Sequence, residues 1–217
     1  FVALLGWSPQ SKGSDALEIF KIDELTELFS VEGMQKGGAV FNQEKLNWIN
    51  REHLKMLSQE DLRKEVIEYL PKEALTLPQY SEERLLKMNL VFIEHIEKLS
   101  DISRMYENGE ISYFFDFPKY PKEKLIWKGN EENKSRTKAH LEKVLETVEK
   151  IKEGAFDATV LKEALWDYAT KEGRGDVLWP MRYALSGREK SPDPFLIASV
   201  LGKEETEKRI KKAIELL

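Results

Sequence analysis

From Ser58 to the C-terminus, apolar residues recur at spacings of three and four, and nearly every run is bounded by a helix-capping or helix-breaking residue. Ser58 with Asp61 imitates a capping box ahead of Leu62, Val66, Ile67 and Leu70, and Pro71 stops that run. Ser81 precedes Leu85, Met88, Leu90, Val91, Ile93, Ile96 and Leu99, a set wider than one stripe, which predicts a helix packed on two sides. Leu141, Val144, Leu145, Val148 and Ile151 form a further stripe closed near Gly154. Asp157 then caps a helix holding Leu161, Leu165, Trp166 and Tyr168, which Gly173 ends. A last helix from Lys203 carries Ile210 and Ile214 on one face. A period near 3.6 cannot serve a strand, whose side chains alternate at period two, so the chain is expected to be all-α.

The first 60 residues are less regular. FVALLGW reads as the end of a helix packed on something upstream, and as a cut end, so a fragment is expected. The polar stretch SPQSKGSD reads as a loop. Ile22, Leu25, Leu28 and Phe29 are spaced for one buried stripe, with Lys21 a poor N-cap. Asn42 is a better cap for the helix carrying Leu46, Trp48 and Ile49, and Trp48 with Phe41 is expected to staple it. Between two helical units, Tyr113, Phe114, Phe115, Phe117, Tyr120 and Trp127, punctuated by Pro118 and Pro121, read as an ordered crossover. Exposed rings there would offer a base-stacking platform, but core packing is the favoured reading. A boundary is expected within GNEENKSRTK.

Composition narrows the function. With 34 Lys and Arg against 39 Asp and Glu the chain carries a net charge of -5, which argues against generic coating of nucleic acid and leaves room only for local contacts. Cysteine is absent, consistent with a reducing, cytoplasmic compartment, and no apolar run is long enough to cross a bilayer. His53, His95 and His140 are scattered, and no strand, glycine loop and helix follow one another as a phosphate cradle requires. His95, alone on its helix, reads as a partly buried, hydrogen-bonded side chain. No catalytic residue, metal or cofactor is expected in the chain itself.

One stretch, WPMRYALSGREKSPDPF from Trp179 to Phe195, admits both a structural and a functional account. Pro180 is suited to open a very short helix and Gly187 to close it, while Pro192 and Pro194 stiffen the turn that follows. Arg182, the hydroxyl of Ser191 and the neighbouring rings form a group able to read planar, hydrogen-bonding edges. Taken alone, the stretch is read rather as a tight helix-turn-helix corner with a surface arginine, and for the whole chain a helical protein-interaction scaffold with no RNA role is the alternative function.

PMRYALSGREKSPDPF followed by LIASVLGKEETEKRIKKAI resembles the C-terminal signature of bacterial-type glutamyl-tRNA synthetases, in which a Pro-Leu-Arg-x-Ala-Leu-Thr-Gly run leads into a Pro-x-x-Phe turn and a last helix. LLGWSP, EIFKIDELTELF and VFNQEKLNWIN are similar to the segment that follows the catalytic domain of that family. The resemblance implies a truncated connector domain over residues 1–60 and a first helical subdomain with the aromatic crossover over 61–132. A second helical subdomain over 133–217 would complete an anticodon-binding cage. Arg182, Ser191, Pro192, Pro194 and Phe195 would then receive the first two anticodon bases. Lys45, Asn50 and Arg51 would touch the tRNA backbone. Ile93 falls where members that charge only glutamate tRNA place an arginine against the third base, and His95 where a second arginine is common. That departure implies an enzyme that also charges glutamine tRNA. ATP and Mg2+ would serve the full-length enzyme, whose catalytic domain lies upstream, and monomer is the family's usual form.

Overall fold

In the computed structural model, residues 1–8, 18–35, 37–38, 40–127 and 133–217 are described. Most of the SPQSKGSD loop and the first part of the GNEENKSRTK boundary lie outside them. The described residues form ten α-helices and no strand: α1 (Ile22–Leu28), α2 (Gln43–Lys55), α3 (Gln59–Tyr69), α4 (Glu82–His95), α5 (Asp101–Glu107), α6 (Lys134–Lys150), α7 (Ala158–Glu172), α8 (Arg174–Ser186), α9 (Pro194–Leu201) and α10 (Lys203–Leu216).

The caps fall where the sequence puts them. The side chains of Asn42, Ser58, Ser81 and Asp157 accept from the backbone N–H groups of Lys45, Asp61, Arg84 and Val160, which satisfies amides that a helix start leaves free. α8 departs from expectation. It begins at Arg174, directly after Gly173 (φ +105°), and Pro180 lies inside it. Pro180 therefore removes one intrahelical bond in mid-helix, a loss that surrounding packing offsets, since Val177, Pro180, Met181 and Ala184 are all buried. Gly187 ends the helix as expected, in the left-handed conformation (φ +68°), and donates to the Tyr183 carbonyl.

One continuous core runs from Leu54 to Ala213. α3 packs on both α4 and α5, α6 packs on α8 and α10, α7 packs on α8 and α9, and α4 joins the two groups through α9. The crossover resolves toward packing: Tyr113, Phe114 and Phe115 are buried, with Phe114 fully so. Tyr120, half-buried, meets Tyr183 edge to face at 5.4 Å. Trp179 stacks on Tyr183 at 5.9 Å and meets Trp127 at 5.0 Å, so much of the ring surface is already taken by other rings.

The N-terminal segment corrects several expectations. FVALLGW forms a short 3-10 turn at Ala3–Leu5 rather than an α-helical end, and Trp7 is buried against Gly33, Phe20 and Phe29. α1 exists, yet none of its residues is buried, and Ile22, Leu28 and Phe29 are exposed. Phe41 and Trp48 do not staple α2: both are exposed, and Phe41 instead meets Phe1. On α4, Leu90 faces solvent while Leu85, Met88, Val91 and Phe92 are buried.

Candidate nucleic-acid interface

The turn after α8 is built by short-range bonds. Ser186 Oγ donates to the Arg182 carbonyl at 2.8 Å, accepts from the Arg188 backbone N–H at 3.2 Å and lies 3.4 Å from Ser191 Oγ. Asp193 Oδ1 accepts from the Phe195 N–H at 2.8 Å and so caps α9, with Pro194 at its first position. This turn forms one wall of a cavity of about 480 Å3 lined by Val91, His95, Met105, Glu110, Arg188, Lys190, Ser191 and Pro192. The opposite wall comes from α4 and the end of α5. Val91 and His95, four apart on α4, share a face; the volume falls in the range of small-ligand sites.

Of the expected turn residues, Ser191 and Pro192 line the cavity. Pro194 is buried and Phe195 is 1 % exposed, so these two anchor the turn in the core and do not present a surface to a base. Arg182 is half-buried; its Nε is buried without a hydrogen-bond partner, and no carboxylate pairs with it among the described residues. Its guanidinium, with those of Arg188 and Arg209, acts on the buried Tyr113 hydroxyl. Burial pushes that phenol far above its ordinary range while the three cations oppose the rise.

His95 is exposed and has no hydrogen-bond partner among the described residues, contrary to the bonded, partly buried side chain expected. Ile93, half a turn round α4, packs against the core and does not line the cavity. Lys45, Asn50 and Arg51 are engaged elsewhere. Lys45 pairs with Glu18 at 2.8 Å, Asn50 donates to the Glu97 carbonyl, and Arg51 pairs with Glu97 at 2.6 Å. The two bonds to Glu97 dock α2 on the loop after α4, while Lys45 is held by Glu18 ahead of α1, so backbone contact by those three side chains would have to break existing interactions.

Two cations that were not singled out in the sequence complete the wall. Arg188 Nη1 donates to the Asn108 carbonyl at 3.1 Å, and Lys190 is exposed; neither has a carboxylate within pairing distance among the described residues. A Cβ on Gly109 (φ +71°) would stand 2.9 Å from Arg188 Nη1, so the glycine makes room for the guanidinium. Their signal was present as Gly-Arg-Glu-Lys immediately after α8, where the Glu189 charge is taken by Lys124. Larger cavities lie at the start of α10 and along it, but each balances its cations with carboxylates: Arg84, Lys87, Lys203 and Lys208 against Glu83, Glu153, Glu204 and Glu205 in one, and Lys208, Lys211 and Lys212 against Glu204, Glu207 and Glu215 in the other. A lining with no net charge gives a polyanion little attraction.

A family model described as an anticodon binding domain matches residues 54–214. The chain is 32% identical over 225 residues to a glutamate–tRNA ligase of Clostridium botulinum (strain Eklund 17B / Type B), and 32% identical over 225 residues to that of Chloroherpeton thalassium. Both alignments cover 100% of this chain and 42% of the relative. Among solved structures, a glutamate tRNA ligase from Elizabethkingia meningosepticum in complex with its amino acid aligns at TM-score 0.67 and 30% identity. A glutamate-tRNA synthetase from Elizabethkingia anophelis aligns at TM-score 0.68 and 30% identity. Each structural alignment covers 99% of this chain and 39% of the other. The chain thus spans less than half the length of the relatives it matches, corresponding to their C-terminal part. It belongs to the anticodon-binding domain family, in the form carried by glutamate–tRNA ligases.

Proposed function

We propose that this chain reads the anticodon of glutamate tRNA, and that the cleft between α4, α5 and the turn after α8 receives the splayed bases. The observation that carries this reading is a set of cations without carboxylate partners among the described residues, at one place on an otherwise acidic protein: Arg188 and Lys190 line the cleft with His95, Ser191 and a single carboxylate, Glu110, and Arg182 stands in the last turns of α8 just before that wall. An unstacked base is read by hydrogen bonds to its edges, and a cation free of carboxylate partners keeps its donors for that purpose. A scaffold with no RNA role would be favoured by an Arg182 paired to a glutamate. The unpartnered Nε argues the other way.

The mechanism is orientation. Contacts at the anticodon select the tRNA and hold its acceptor end for chemistry elsewhere, so binding energy remote from the reaction aligns the substrates. Amino-acid activation, with ATP and Mg2+, belongs to the rest of a full-length enzyme, acting upstream of residues 1–60 and the two helical units over 61–132 and 133–217. The chain alone is expected to show no activation above background. The third base meets His95, where a single imidazole replaces a guanidinium fork; cytosine and guanine are therefore separated weakly, and glutamine tRNA is also accepted. Binding of the chain to glutamate tRNA against an unrelated tRNA at fixed moderate salt tests the proposal. Preference for the glutamate tRNA that Arg182→Ala abolishes supports it. Equal binding of both, unchanged by the substitution, overturns it.

A further inference from the structure

The two walls of the cleft are far apart in sequence. Val91 and His95 stand on α4, whereas Arg188 to Pro192 follow α8, and no covalent link shorter than about ninety residues connects them. Their register must come from packing and polar contacts. A buried network lies behind both. Arg209 on α10 is 0 % exposed, and its guanidinium is bonded on every side: Nε to Glu205 at 2.7 Å, Nη1 to the Leu185 carbonyl at 2.5 Å, and Nη2 to Gln79 Oε1 at 2.7 Å and the Asp116 carbonyl at 3.2 Å. Its plane also stands over the Phe117 ring, 5.4 Å from the centroid.

These partners belong to different parts of the fold. Leu185 is in the last turn of α8, whose final carbonyls have no partner within the helix; Arg209 supplies one and places a positive charge at the negative helix end. The next residue, Ser186, bonds to the Arg182 carbonyl and to the Arg188 amide, so the capped carbonyl adjoins the residues that form the cleft wall. Gln79 leads into α4. Its Nε2 donates to Glu205, and its backbone carbonyl accepts from Arg84 Nη1 at 2.7 Å, while Arg84 Nη2 donates to the Leu201 carbonyl at the end of α9. Arg84 is two turns before Val91 on the same helix. A single guanidinium plane therefore registers α4 against the C-terminal end of α8.

We infer that Arg209 is a positioning residue for anticodon discrimination: it touches no RNA, and it fixes the α8 end carrying Arg182 and the following turn against the α4 wall. Its planar fork is what the role requires, because four acceptors in divergent directions need donors held in a rigid plane. A methionine of similar reach has none, and lysine concentrates its charge at one atom. Glu205 holds Arg209 charged and oriented and is a positioning residue at one further remove.

The inference rests on the anticodon reading, and the two can fail separately. The assay compares wild type, Arg209→Met and Gln79→Ala of the 217-residue chain, binding a glutamate anticodon stem-loop and the same RNA with its middle base replaced, well below each variant's melting temperature. A base mismatch costs a specific complex about 1–3 kcal/mol, so wild type is expected to discriminate by roughly 5- to 150-fold. Arg209→Met is expected to lower that ratio by about fivefold or more while its salt dependence, set by phosphate contacts, stays the same. Gln79→Ala removes one acceptor, leaves the α8 cap in place and is expected to lower the ratio by a smaller factor; it serves alone if Arg209→Met does not fold. A lowered melting temperature with an unchanged ratio in the folded variants would make Arg209 purely structural and overturn the inference. Failure of wild type to discriminate would overturn the anticodon reading itself, and with it this inference.

Discussion

Replacing Gly187 with alanine tests how the turn is held. Two costs arise. The first is conformational: at φ +68° an L side chain crowds its own backbone, which costs about 1 kcal/mol or a little more. The second is spatial. The new Cβ would stand 3.0 Å from Pro118 Cβ and 3.2 Å from Tyr120 Cδ1, and the proline ring is rigid while Tyr120 is held against Tyr183. Crowding of that kind costs about 1–3 kcal/mol. The sum is about 2–4 kcal/mol, which for a chain of this size lowers the melting temperature by roughly 4–16 °C. Thermal unfolding followed by circular dichroism measures it, with Gly154→Ala as control, because a Cβ there meets nothing within 4 Å. The control is expected to be unchanged or slightly raised, through a less free unfolded chain. Melting of Gly187→Ala within a degree or so of the control, about 0.5 kcal/mol, would refute both the strain and the contact with Pro118.

Two other predictions concern charge. Arg136 Nε donates to His140 Nε2 at 3.2 Å, so Nδ1 carries the proton and donates to the Tyr168 hydroxyl at 2.7 Å; burial, and then the Arg136 charge, hold the imidazole below its ordinary value of 6.5. The unfolded chain therefore binds the proton first as pH falls. Stability is complete above pH 6.5, declines as pH drops toward the lowered folded value, and then levels. Urea midpoints across that range are expected to fall in wild type and to fall less in His140→Gln; a midpoint that rises on acidification contradicts the tautomer and its burial. For RNA binding, Lys190→Ala is expected to reduce the salt slope by about one contact, whereas Arg51→Ala, whose guanidinium is held by Glu97, leaves it unchanged. The reverse pattern would move the phosphate contacts from the cleft to α2.

Among the helices after Ser58, α3, α4, α6, α7 and α10 were legible because each rests on local chemistry, whereas the short α5 and α9 had no stripe of their own in the sequence. Caps at Ser58, Ser81 and Asp157 and stops at Gly173 and Gly187 act within one turn, and the stripes between them report burial directly. Pro180 misled because its cost in a helix interior is about 3 kcal/mol, which a fully packed helix can carry and local propensity cannot foresee. In α1 the spacing gave the helix correctly, but spacing says nothing of what covers the stripe, and within this chain Ile22, Leu28 and Phe29 remain exposed. At the cleft, Ser191 and Pro192, which the motif singles out, line the cavity. Pro194 and Phe195 carry the same motif yet face inward, since a turn that opens α9 must anchor its first residues in the core. Gly109 and Arg209 were invisible for a different reason. Their roles arise from contacts 79 or more residues away, at Arg188 for the first and Gln79, Asp116 and Phe117 for the second.

The central claim is that Arg182 and the turn after α8 read anticodon bases. Its most direct test is the affinity of the chain for anticodon stem-loops differing at one base, with and without Arg182→Ala. Replacing the middle base is expected to weaken wild-type binding by roughly 5- to 150-fold, and Arg182→Ala to erase most of that difference. Exchanging cytosine for guanine at the third base is expected to change affinity by no more than about threefold, a fraction of what one lost base contact costs. Equal affinity for every loop, including one of unrelated sequence, with no effect of Arg182→Ala, would contradict the account.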